Sequence, residues 1–142
     1  MSNEYSVRYL INVTKKARKD GEKLGLSAEA KRSIVEELKQ LKYWPETKDI
    51  FDYEKVAGAF KFNFDFVEGK WIRVFVYQDD VRKIMWIFKV IAKKTNKLTQ
   101  TDITAVEAFV REIELEIKMY EEKMLQQQKP QLKVIKGGKD GR

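Results

Sequence analysis

From Phe60 to Val67 the chain alternates with period two, setting Phe60, Phe62, Phe64 and Phe66 on one side and Lys61, Asn63 and Asp65 on the other. Successive side chains of an extended strand point to opposite faces, so this pattern predicts a strand with four rings turned toward a core. Glu68-Gly69-Lys70 offers a glycine-containing hairpin turn into a second run, 71–77. In that run Ile72, Val74 and Val76 share one face, and Trp71, Arg73, Phe75 and Tyr77 share the other. Gln78-Asp79-Asp80 turns the chain again, and residues 83–91 are apolar on both faces apart from Lys83 at the start and Lys89, as a central strand requires. The three runs predict an antiparallel meander.

Either side of the meander the spacing changes. Residues 5–10 alternate and predict a short first strand that can extend the sheet. Asn12 or Thr14 can cap a helix carrying Val13, Ala17 and Leu24, with Gly25 at its stop. Ser27 can cap a second helix, in which Ala30, Ile34, Val35, Leu38 and Leu41 form an apolar stripe that Pro45 terminates. Residues 46–59 read as a connection. Thr99-Gln100-Thr101-Asp102 fits a capping box, opening a long helix with Ile103, Val106, Val110, Ile113 and Ile117 at helical spacing. The expected fold is α+β: an antiparallel sheet of about four strands, an N-terminal helical hairpin and a long C-terminal helix. One domain is expected over residues 1–125, and residues 126–142, polar and basic, read as a disordered tail.

Composition narrows the chemistry. The 142 residues include no cysteine and no histidine. That excludes disulfides, thiolate nucleophiles, Ser-His-Asp catalysis and His- or Cys-ligated metals. Any catalysis must run on Lys, Arg, Tyr, carboxylates or backbone groups, and no cofactor or metal is expected; Asp79-Asp80 reads as a turn rather than a metal pair. There is no run of 18 apolar residues and no signal-peptide pattern, so a soluble, cytoplasmic protein is expected, with no membrane partner. The net charge is +7, and it is unevenly spread. Residues 81–100 carry six basic groups and no acid, residues 101–125 seven acids against three bases, and the last 17 residues five bases against one acid. A concentrated positive field of this kind suits a polyanion.

On the sheet face opposite the Phe and Ile/Val set, Lys61, Asn63, Trp71, Arg73, Phe75, Tyr77 and Lys89 fall together, beside Lys93, Lys94 and Lys97 at the strand end. Cations meet phosphates, a guanidinium offers a planar fork for two oxygens, and rings stack on unpaired bases, so such a face can cradle RNA. The competing reading is that Arg73 pairs with Asp65 or Asp79 and the rings pack under a loop. Spacing alone does not decide between them.

The order of these segments resembles the RelE superfamily of bacterial toxins, in its HigB and phage-derived host-inhibition branch. The matching residues are Trp71-Ile72-Arg73-Val74, the Lys93-Lys94-Thr95 that closes a later strand, and the helix opened by Thr99-Gln100-Thr101-Asp102. The similarity spans residues 5–118. It implies a toxin of a type II toxin–antitoxin pair, an endoribonuclease that cleaves mRNA, often on the ribosome, and is silenced by a bound antitoxin. By the same resemblance Arg73 contacts phosphate, Lys61 or Asn63 holds the position of a basic group, and Lys93 and Lys94 are the bases after the last strand. The Glu-Leu-Arg common in the family before the hairpin is absent, as is the His of some HigB members.

Metal-free cleavage is coherent without histidine. The ribose 2′-OH attacks the adjacent phosphate while Arg73 and Lys93 stabilise the phosphoryl oxygens, and Lys61 or Lys89 moves the proton, with Tyr77 a weaker candidate. Asn63, Trp71, Tyr77, Lys94 and Lys97 would bind the RNA. The alternative function is a non-catalytic RelE- or ParE-like binding protein that inhibits a host protein or binds nucleic acid.

Overall fold

The computed structural model describes residues 6–95 and 97–139, with side chains described as far as Gln127. Two bodies make up the chain, one up to Val110 and one from Arg111 onward. The first contains a five-stranded sheet in the order β1-β5-β4-β3-β2, built from β1 (Leu10–Val13), β2 (Tyr53–Val56), β3 (Ala59–Val67), β4 (Lys70–Asp79) and β5 (Ile84–Lys93). All neighbours are antiparallel except β1, which runs parallel to β5.

The β3-β4-β5 meander follows the period-two pattern. Phe60, Phe62 and Phe64 oppose Val76, Val74 and Ile72 across the β3–β4 pair, so the rings and the aliphatic face share one side of the sheet. They join Leu26, Ile34, Leu38, Leu41, Trp44, Phe51, Met85 and Ile87 in the larger core. The turn between β3 and β4 has two residues, Glu68 and Gly69, both with positive φ, the geometry that matches the twist of paired strands. Glu68 also reaches helix α2 (Ala28–Leu38): it accepts bonds from the backbone N–H and the hydroxyl of Ser27, the residue that caps that helix.

Several expectations change. The sheet has five strands, not about four, because residues 46–59 are more than a connection. Tyr53–Val56 pairs with β3 through a second two-residue turn, Ala57-Gly58, again with both φ positive. The first strand is Leu10–Val13 rather than 5–10; Tyr5 lies outside the described residues, and Tyr9 is drawn into the core, where its hydroxyl donates to Asp80 and accepts from the Gln78 amide. The fourth ring of β3 leaves the core. A register shift between Phe64 and Val67 breaks the alternation, and Phe66, at φ 56°, is 65% exposed.

The two N-terminal helices differ from the expected hairpin in how they meet the sheet. Helix α1 (Lys15–Glu22), capped by Thr14, buries only Ala17 and lies along β5. α2 runs into a 3₁₀ turn at Lys39–Tyr43 that carries Leu41 into the core. A single alanine gives α1 no ridge to lay against α2, and the pair flank a cleft instead.

The C-terminal helix α3 (Gln100–Lys139) begins at the expected capping box: Asp102 N–H donates to Thr99 Oγ1, and Thr99 N–H to Asp102 Oδ2. Its first turns place Val106 and Val110 with Ala59, Phe75 and Phe88 in a second core on the other face of the sheet. Gly58 sits beneath that helix, where an added Cβ would lie 3.2 Å from Val110 Cγ1. The second body is the remainder of α3, a helix assigned beyond residue 126 to Lys139. The reading of residues 126–142 as a disordered tail falls, from 128 on, on side chains and, at 140–142, on backbone outside the described residues. No helix of the described residues is long and apolar enough to cross a membrane.

Phe62, fully buried and ringed by Trp44, Phe51 and Tyr53, is the anchor of the larger core. Phe62→Ala is expected to cost about 3–5 kcal/mol in urea unfolding. The Tyr9–Asp80 bond predicts a pH signature. The Tyr9 hydroxyl holds the Asp80 carboxyl below its ordinary range, so the stability it brings is complete above about pH 4 and is lost as pH falls through the depressed pKa. Burial first, then Asp80, pushes Tyr9 above its ordinary range, so its contribution is present below about pH 10 and is lost at higher pH. Tyr9→Phe is therefore expected to destabilise the chain at neutral pH, with the gap to wild type closing in acid melts.

Candidate nucleic-acid face

The sheet face opposite the larger core is assembled by cross-strand register. Lys61 faces Phe75, which faces Lys89; Asn63 faces Arg73; and Trp71 faces Lys93. Lys89 keeps this phase because a bulge opposite Phe75 and Val76 admits Phe88 as an extra residue. The candidate cations Lys61, Arg73, Lys89 and Lys93 are thus brought to one side of the sheet, as their spacing predicts.

That side is not an open cradle. Phe75 and Phe88 are buried beneath Val106 and Val110, and Phe109 stacks on Phe88 at 4.0 Å with the rings 7° apart. The expectation of an open Arg73 is corrected by its surroundings. Its side chain is 3% exposed, with Nη1 donating to Asp65 Oδ1 at 2.8 Å and to the Ile72 carbonyl at 2.9 Å. The guanidinium also lies over the Trp71 ring, 5.2 Å from its centroid. This is the pairing with Asp65 that the sequence left open, and desolvation explains it: a guanidinium at this depth requires a charge partner.

The same holds for two of the other three cations. Lys61 Nζ meets Glu54 Oε2 at 2.5 Å, and Lys93 Nζ meets Asp102 Oδ2 at 2.7 Å. Burial works to raise the Asp102 pKa, but the bonds from Lys93 and Thr99 prevail and hold its carboxyl below the usual range. Lys89 is half-buried on β5, while Lys94 and Lys97 are exposed beyond its end. Asn63 turns its Oδ1 into a buried position without a hydrogen-bond partner. Tyr77, half-buried, packs against the second core.

The counter-carboxylates are asymmetric in a way that matters chemically. Lys61 and Arg73 are nearly sealed, yet Glu54 and Asp65 are 58% and 43% exposed. Each buried cation is capped from the solvent side by an anion that water already reaches. An incoming phosphate could exchange for such a carboxylate, whereas it could not reach the cations past an apolar lid.

Phe66 is the residue that sequence reasoning assigned elsewhere. Out of the core, it packs on Trp71 with ring centroids 4.4 Å apart. The resulting aromatic pair stands at the β3–β4 hairpin end, one ring exposed and the other half-buried, with Arg73 over Trp71 and Lys93 across the strand pair. The signal available in the sequence was weak: Asp65-Phe66-Val67 breaks the polar–apolar alternation just before the turn. Among the described residues there is no group of three or more carboxylates placed to hold a metal ion.

No protein-family model matches the chain, and no curated protein matches it. Among solved structures, the archaeal RelE–RelB complex from Pyrococcus horikoshii OT3 is similar at 19% identity and a TM-score of 0.46, covering 63% of this chain and 99% of that one. The RelBE2 toxin–antitoxin complex from Mycobacterium tuberculosis is similar at 17% identity and 0.42, covering 66% and 100%. The isolated E. coli RelE toxin is similar at 12% identity and 0.44, covering 71% and 98%. Each is a partial likeness at low identity.

If Asp65 compensates the buried guanidinium, Asp65→Asn is expected to lower stability by about 1–3 kcal/mol, measured by urea unfolding, and Arg73→Met to be better tolerated than Asp65→Asn.

Proposed function

We propose that the chain is a RelE-type toxin of a type II toxin–antitoxin pair, directed at mRNA in the cytoplasm and silenced by a bound antitoxin. The observation that carries the reading is the Phe66–Trp71 pair, its Phe66 ring exposed, beside Arg73, with Lys93 opposite Trp71 and Lys94 and Lys97 exposed beyond it. Rings that a base can stack on, next to cations that a phosphate can reach, are the two elements of single-strand binding. The order of Trp71-Ile72-Arg73-Val74, Lys93-Lys94-Thr95 and the capped helix, which resembles the HigB branch, supports the same reading.

In this proposal the state described above is the resting one. A backbone phosphate displaces Asp65 from Arg73 and Glu54 from Lys61, gaining two cations that the fold has already oriented. The 2′-oxygen then bonds to phosphorus as the bond to the 5′-oxygen breaks. Lys89 accepts the 2′ proton, Lys61, held as a cation, gives its proton to the leaving 5′-oxygen, and Arg73 with Lys93 carries the charge that builds on the phosphoryl oxygens. Ribosome-bound mRNA is the substrate carried over from the resemblance.

A second reading has its own observation. Burial and full pairing of Arg73 suit a protein that binds a target without cutting it. The two are separated by expressing the chain and following growth, translation and mRNA integrity. For the nuclease, growth arrest and cut mRNA are expected, with Arg73→Ala lowering cleavage by about 100-fold or more. Unchanged cleavage in that variant defeats the assigned site. RNA binding with a steep salt dependence and no cleavage, with or without ribosomes, favours the second reading.

A further inference from the structure

The cleft between α1, α2 and the sheet encloses about 690 Å³. Its walls are apolar, with Ile34 and Leu38 on α2 facing Val74 and Val90 on the sheet, and Val35, 49% exposed, forms its lip. The rim is basic. Arg18 stands on the α1 side, Lys31, Lys39 and Lys42 on the α2 side, and the only acid is Glu22. Lys39 already bonds Glu36, which leaves Arg18, Lys31 and Lys42 to meet an outside charge.

A suitable occupant is apolar along one ridge and acidic beside it. It must also be long, since Lys31 and Lys42 are eleven residues apart, about three turns of a helix, and one small anion cannot reach both. The second body of this chain has that character. Leu115 and Met119, one turn apart on α3, are 58% and 59% exposed, and Tyr120, Met124 and Leu125 are exposed beyond them. Residues 111–127 carry five acids, Glu112, Glu114, Glu116, Glu121 and Glu122, against Arg111, Lys118 and Lys123. The last 14 residues are basic, and like charge disfavours them at the same rim.

We infer that the cleft of one copy receives the acidic, apolar-ridged helix segment 111–127 of a second copy. The association is a helix laid into a groove: Leu115 and Met119 enter between α2 and the sheet while the glutamates meet Arg18, Lys31 and Lys42. It involves neither Arg73 nor the Phe66–Trp71 pair, so it stands or falls apart from the proposed activity.

Sedimentation of the full chain over a range of micromolar concentrations tests it, with circular dichroism to verify folding of each variant. A concentration-dependent dimer is expected, abolished by Val35→Glu or by Met119→Glu, both at exposed positions. Arg18→Glu with Lys31→Glu is expected to weaken it by about tenfold or more, and adding Glu116→Lys and Glu121→Lys to restore most of the loss. A chain that stays monomeric, or a dimer indifferent to Val35→Glu and Met119→Glu, overturns the inference. So does a charge reversal at the rim that leaves association unchanged.

Discussion

Strand β4 is buried on both faces, and the rest of the first body is arranged around that constraint. Ile72, Val74 and Val76 go into one core, and Phe75 into the other. Both sides of the sheet must therefore be covered, one by α1, α2 and the 3₁₀ turn, the other by the first turns of α3. Large apolar side chains on both sides of one strand give the strongest burial a small sheet can obtain. They also exclude water from whatever polar groups share the strand. Arg73 lies between Ile72 and Val74 in sequence, and its depth follows from theirs.

Once a guanidinium is carried to that depth, its electrostatics are no longer those of a surface charge. Asp65 on the neighbouring strand, the Ile72 carbonyl and the Trp71 ring together replace the water it has lost. Lys61 and Lys93 repeat the solution with Glu54 and Asp102. The net charge of +7 thus overstates the positive field of the sheet face, and of the candidate cations only Lys94 and Lys97, beyond the end of β5, are exposed.

The regular parts of the chain were legible because each obeys one period. The β3-β4-β5 alternation, the Ser27 and Thr99 caps and the Glu68-Gly69 turn all follow from residues within a few positions of each other. What escaped depends on the partner across the sheet. Residues 53–56 form a strand only because β3 offers an edge, and their Ala57-Gly58 turn lacks the Asn-Gly or Asp-Gly signature. Phe66 fits the period until the bulge ends it. For the candidate site, the alternation put Lys61, Arg73, Lys89 and Lys93 on one side correctly, but it could not say that Val106 and Val110 cover part of that side or that Glu54 and Asp102 reach two of the cations. Glu54 and Lys61 are seven residues apart and Lys93 and Asp102 nine, but every one of these contacts joins two different elements, and the period within one element does not encode it.

The parallel pairing of β1 with β5 joins residues 10–13 to residues 84–87, and the Tyr9 hydroxyl binds Asp80 across 71 positions. Closing so long a loop is the entropically slow part of forming a sheet. During synthesis the first strand leaves the ribosome long before its partner exists, so the edge of β5 is capped only after residues 84–87 have been made. Until that moment Ile11 and Val13 have no sheet to cover. The nascent chain therefore passes through an interval in which its amino-terminal segment must be kept from other strands.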